Sequence, residues 1–184
     1  MQYACIFNSP NKKEVIYYAS FIFSVPNIDA LKSAGKFALC LTTDLQYNEA
    51  PSQLTKGKPL KANQLNDADV KVIGMDRAGI RFQQNGSIIH NQRSCLTSIG
   101  HQIAWPPENM HVAAEIDLRS EQQSIRFYLN GVDQLARIVM LPRGASFQFA
   151  VRASEKGTVV HVSSFGTTEN PAPQPGHRYE DTEW

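Results

Sequence analysis

Between residues 111 and 165, apolar and polar side chains alternate in short runs separated by turn residues. Val112, Ala114 and Ile116 alternate with His111, Glu115 and Asp117. Ile125, Phe127 and Leu129 alternate with Arg126, Tyr128 and Asn130, and Phe147, Phe149 and Val151 with Gln148 and Arg152. A period of two places each set on one face of a pleated strand. The region therefore predicts an antiparallel sheet with one buried face. Asn130-Gly131 falls between two such runs, and both residues tolerate positive φ, the strongest short-range hairpin signal. His161 alternates with Val160 and Val162, which predicts that it faces away from the core.

The rest of the chain reads the same way. Residues 4–7, 15–25 and 36–43 predict strands, with Pro26 closing the second and one or two helical turns expected over 27–35. Residues 44–69 are polar and contain Pro51, Gly57 and Pro59, which marks a long connection. Residues 70–74 resume as strand and 76–79 turn the chain. Ile80 and Phe82 are the buried partners of Arg81 and Gln83, and Asn85-Gly86 predicts a second two-residue hairpin. The two hairpins share the pattern Ile-Arg-Phe-x-x-Asn-Gly, a common turn chemistry rather than a duplication. Residues 91–110 form the second long connection, with Arg93, His101 and Trp105.

Two segments resemble a known family. "VAAEIDLRSEQQSIRFYLNG" is similar to the late core of SPRY domains, where a strand ending in Asp-Leu leads through a turn to F-x-x-N-G and a later strand ends near Ser-Phe. "VIGMDRAGIRFQQNGSIIHN" resembles the earlier SPRY segment. The likeness spans roughly residues 70–165. It implies a concanavalin-like β-sandwich that binds proteins and has no catalytic residues to carry over. The expected fold is all-β: a two-sheet antiparallel sandwich with little helix over residues 1–165. A Pro- and Gly-rich polar tail over 166–184 is expected to be flexible.

Composition narrows the function classes. The 184 residues suffice for one domain with a core, and a net charge of +1 lacks the basic face of a nucleic-acid protein. Cys5, Cys40 and Cys95 are odd in number and widely spaced, which argues against a disulfide framework and fits a reducing, cytoplasmic setting. Cys40, in KFALCLTT, reads as a small buried side chain. The run NKKEVIYYASFIFSV imitates a secretory signal but is interrupted by Glu14, and it is far shorter than the ~20 apolar residues that span a membrane. The Asn85-Gly86-Ser87 sequon reads as incidental.

The chain contains no phosphate-binding Gly-rich loop, H-E-x-x-H or G-x-S-x-G. Its five histidines have no metal-ligand spacing, so neither a metal nor a cofactor is expected. Glu115 and Asp117 share a strand face, as the carboxylates of laminarinase-type glycoside hydrolases do. Here, however, Arg119 and Ser120 stand where the last Glu should fall, and a solvent-facing acidic pair beside Arg126 is expected instead.

If every short connection reverses the chain, the turn at 76–79, the loop at 91–110 and the turns at 130–131 and 154–157 share one end. The turns at 84–86, 118–123 and 141–145 share the other. Trp105 in the long loop is a natural interface anchor, with Arg77 and Arg93 adding directed hydrogen bonds. His101, Asn130 and Asp133 complete the candidate partner-binding set, and a Trp105 that merely plugs the end of the sandwich is the structural alternative. The function expected is non-enzymatic: an adaptor or recognition module binding a protein or peptide, with neither nucleic acid nor membrane as partner. A carbohydrate-binding module or degenerate glycoside hydrolase is the first alternative, and a structural subunit of a large assembly the second.

Overall fold

A computed structural model describes residues 7–8, 15–26, 37–43, 79–91, 93–95, 110–143, 145, 147–170 and 179–184. They form strands β1 (Phe7–Asn8), β2 (Ile16–Ser24), β3 (Phe37–Thr43), β4 (Gly79–Gln83), β5 (Ile88–His90), β6 (Arg93–Cys95), β7 (Met110–Asp117), β8 (Ser124–Leu129), β9 (Val132–Val139), β10 (Phe147–Ala153), β11 (Val159–Thr168) and β12 (Glu180–Glu183). The architecture is all-β, in two six-stranded sheets of order β1-β10-β3-β4-β5-β6 and β11-β2-β7-β8-β9-β12. Every ladder is antiparallel except that of β12 on β9. The helical turns expected over 27–35 and the strand at 70–74 lie outside the described residues.

Both sheets feed one apolar core. Phe21, Phe23, Val112, Ile116 and Phe127 come from the second sheet, and Phe37, Leu39, Phe82, Phe147 and Phe149 from the first. Phe82 meets Phe127 at 5.4 Å between ring centroids, and Phe23 meets Phe37 edge-on at 6.1 Å. Such pairs contribute about 0.5–1.5 kcal/mol each beyond their buried area. The period-two alternation sets these faces: Val160 and Val162 pack on the core and His161 is exposed.

The two Asn-Gly turns differ. At the β8–β9 turn, Leu129 pairs with Val132 and both Asn130 (φ 50) and Gly131 (φ 79) adopt positive φ, as a two-residue hairpin requires. At the β4–β5 turn, Phe82 pairs with Ile88 and Gln83 N donates to Ser87 O, so the loop holds three residues rather than two. Gly86 (φ 84) takes the left-handed position at the end of that loop. The difference lies at the residue before Asn: Leu129 stays in its strand and is buried, whereas Gln84 turns away to exchange hydrogen bonds with the backbone of Phe37.

The expected grouping of turns also changes. Ala153 pairs with Phe37 and Ala38 with Gln83, so the 84–86 turn shares an end with the β10–β11 connection and the 130–131 turn. The cause is β6, a three-residue strand inside what reads as one long polar loop. It reverses the chain once more and switches the end of everything before it relative to everything after.

The segment expected to be a flexible tail carries sheet structure at both of its described ends. Residues 166–168 complete β11, and β12 adds to the edge of β9. Trp184 donates its backbone N–H to Val139 O at 3.0 Å and sets its ring 4.8 Å from His90 and 5.7 Å from Phe147. A polar, Pro-rich composition argues against independent folding, but an edge strand needs no core of its own when a neighbouring strand supplies the ladder.

Candidate functional site

The outward face of the second sheet carries a buried network of charged and aromatic groups. Glu115 on β7 stands opposite Arg126 on β8, and Arg126 opposite Arg137 on β9. A bulge in β9 sets Asp133 opposite Tyr128, so Asp133 and Arg137, four apart in sequence, face adjacent outward residues of β8. Leu135, at φ 59, marks the distortion, and Asp133 Oδ1 accepts from Leu135 N at 2.8 Å.

Arg126 is the hub. One guanidinium nitrogen donates to the carboxylate of Glu115. The other donates to the Tyr179 hydroxyl at 3.0 Å and lies 3.6 Å from the Asp133 carboxylate. The Tyr179 hydroxyl in turn donates to Asp133 Oδ2 at 2.7 Å. Arg137 forms a two-pronged pair with Asp181 of β12 at 2.8 and 2.7 Å, and its guanidinium sits 5.0 Å from the Tyr179 ring centroid. The Arg126 and Glu115 side chains are only 5% and 1% exposed. This burial corrects the expectation of a solvent-facing acidic pair: Glu115 does pair with Arg126, but beneath a lid of aromatic rings. It also makes all six residues of β8 buried, where one buried face was expected.

The titrations follow from this packing. Burial opposes the Arg126 charge, but the hydrogen bonds it donates to Glu115 and Tyr179 hold its pKa above the usual value. Burial, then the Glu115 carboxylate, pushes the Tyr128 phenol up. Burial and the hydrogen bond to Asp133 push Tyr179 up to about 12. Asp117, by contrast, caps the turn after β7: its Oδ1 accepts from Arg119 N and Ser120 N at 2.8 and 3.2 Å. Beside Glu115, Tyr18, Ser164, Gly166, Thr168 and Asn170 line an open cavity of about 240 Å³.

Of the residues singled out in the sequence, Arg77, His101 and Trp105 lie outside the described residues. Arg93 begins β6 and pairs with His90, at the end opposite Asn130, so the structure does not bring these two together. Asn130 is committed to the neighbouring strand β7: its Oδ1 accepts from His111 N at 2.9 Å, and its own N–H donates to His111 O at 2.7 Å. Asp133 belongs to the Arg126 network. Tyr179, Arg137, Asp181 and Trp184 were not among the expected site residues. Two aromatic residues five apart in an otherwise acidic stretch were the available signal, because a solvated tail has no use for them.

The second sheet has another feature. β11 is one of its two edge strands, opposite β12, and β2 is the only ladder partner of β11 among the described residues. Its ten residues, VVHVSSFGTT, include no Lys, Arg, Asp, Glu or Pro, and Val159 and Phe165 are 62% and 37% exposed. One bulge between Val162 and Ser164 interrupts it. Among the described residues no group of three or more His, Cys, Asp or Glu side chains is placed to hold a metal, and no helix is long and apolar enough to cross a membrane. No family model matches the chain, and no curated protein matches it.

Proposed function

We propose that this chain is a non-catalytic recognition module, a SPRY-like β-sandwich of the concanavalin class. In this reading it binds an extended segment of a partner protein by strand addition to β11. The β11 edge carries the proposal. Natural sheets blunt their edges with charges, prolines or covering elements, and a long uncharged edge strand is a template for another strand. Backbone hydrogen bonds would supply affinity, and the exposed Val159 side chain would supply selectivity. One core shared by two sheets supports the sandwich architecture, and the buried free thiol of Cys40 fits a cytoplasmic adaptor or a subunit of a larger complex.

The glycoside hydrolase reading is weaker, because Glu115 is held by Arg126 and Asp117 by its turn, whereas retaining hydrolysis needs two available carboxyls. The test is affinity enrichment from lysate with the wild type and a His161→Lys/Ser163→Lys variant. Both positions are exposed, so the fold should stand. Loss of a retained protein by the folded variant is expected. Equal retention by both, or no retained protein, would count against the reading.

A further inference from the structure

The β9 edge is filled by a segment that behaves as a bound peptide. Residues 180–183 pair along β9 from Ala136 to Val139, Trp184 N adds a bond to Val139 O, and the segment anchors at three points. Tyr179 enters the notch between Arg126 and Arg137, Asp181 forms the paired contact with Arg137, and Trp184 closes over His90 and Phe147. Tyr179 and Asp181 use the outward face, while Trp184, three residues on, packs against the core side. Arg137 presents its guanidinium to the segment, YEDTEW, which is acidic, while the Arg126 charge is already met by Glu115 and Asp133 within the sheet. The four-residue strand has no apolar side chain of its own, so its docking depends on these anchors.

We infer that the β9 edge, with the Arg126/Arg137 notch and the His90–Phe147 seat, is a second recognition groove. Its ligand is an extended acidic segment of a partner protein, with an aromatic residue at one end and Trp five residues later, and residues 179–184 occupy it as a competitor in cis. Register, charge and aromatic spacing specify the ligand together: backbone pairing fixes direction, Arg137 reads a carboxylate at the third position, and the seat accepts a large flat ring. Because the competing segment belongs to the same chain, it acts at high effective concentration and masks the groove until a partner displaces it. This inference is independent of the β11 reading.

The test uses the full chain and a fluorescein-labelled peptide with the sequence of residues 179–184, followed by anisotropy. A Tyr179→Ala/Trp184→Ala variant, with its own segment disarmed, should bind the peptide at least tenfold more tightly than the wild type. Adding Arg137→Glu should abolish binding. Equal binding by wild type and variant, or none by a folded variant, would overturn the inference. If the variant does not fold, amide exchange in the wild type decides. Excess peptide should accelerate exchange at 180–183 while β9 stays protected, and an unchanged rate at high peptide would be refuting. A dimer formed between the variant and the wild type would assign the groove to a second copy of this chain and overturn its assignment to a foreign partner.

Discussion

Arg126→Met should be among the most damaging single substitutions on the outward face of the second sheet. The change takes the Arg126 guanidinium away from the Glu115 carboxylate, 1% exposed, and a donor from Tyr179. Breaking a buried ion pair from one side costs about 3–5 kcal/mol, because the remaining charge stays buried. With a urea dependence of about 2 kcal/mol per molar, the unfolding midpoint should fall by about 1.5–2.5 M. Glu115→Leu combined with Arg126→Met removes both charges and should recover most of that loss, since a buried pair is often no more stabilising than well-packed apolar residues. Urea unfolding of wild type, both single variants and the double variant, followed by far-UV circular dichroism, gives the coupling directly. A loss below about 1 kcal/mol for Arg126→Met, or a double variant as unstable as the sum of the singles, would refute the view that this pair is a desolvated structural unit.

Other outcomes follow from single positions. Asn130→Ala should cost about 1–2 kcal/mol for the left-handed backbone alone, and Asn130→Gly should restore that part but not the hydrogen bond to His111 N; thermal unfolding of the two variants separates them. Met140 sits at φ 58 with its side chain 61% exposed, so Met140→Gly should raise stability by about 0.5–1 kcal/mol, and a loss would show that its side chain has an unrecognised contact. Burial pushes the Cys40 thiol up to about 12, so at pH 8 native protein should resist alkylation there for as long as it stays folded, as peptide mass spectrometry would reveal. Tyr179 titrates higher in the folded chain than the ordinary phenol value of 10.0, so its contribution is complete below that pH and lost as pH rises towards about 12. Urea midpoints at pH 9 and 11.5 should therefore fall further for the wild type than for Tyr179→Phe.

The strands around the core were legible because their side chains obey a period of two. β2, β3, β7, β8 and β10 were all readable within a residue or two, as was the Asn130-Gly131 turn that joins β8 to β9. β6 was not, since three residues, Arg-Ser-Cys, are too few to display any period, and missing it exchanged the ends of the turns. The sheet location of residues 180–183 was hidden for a different reason. Glu-Asp-Thr-Glu has poor strand propensity and no apolar face, and only the open edge of β9 makes it a strand. Alternation also placed Glu115 and Arg126 on the outward face correctly. It could not reveal that Tyr18 and Tyr179 cover that face, because burial of an outward position depends on residues distant in sequence.

The most direct test of the functional reading is amide hydrogen exchange of the full chain with and without the protein it captures. Strand addition predicts new protection within Val159–Thr168, in alternate residues whose N–H groups point away from β2. Protection confined to the connection at 96–109 that carries Trp105, with β11 exchanging as before, would contradict it.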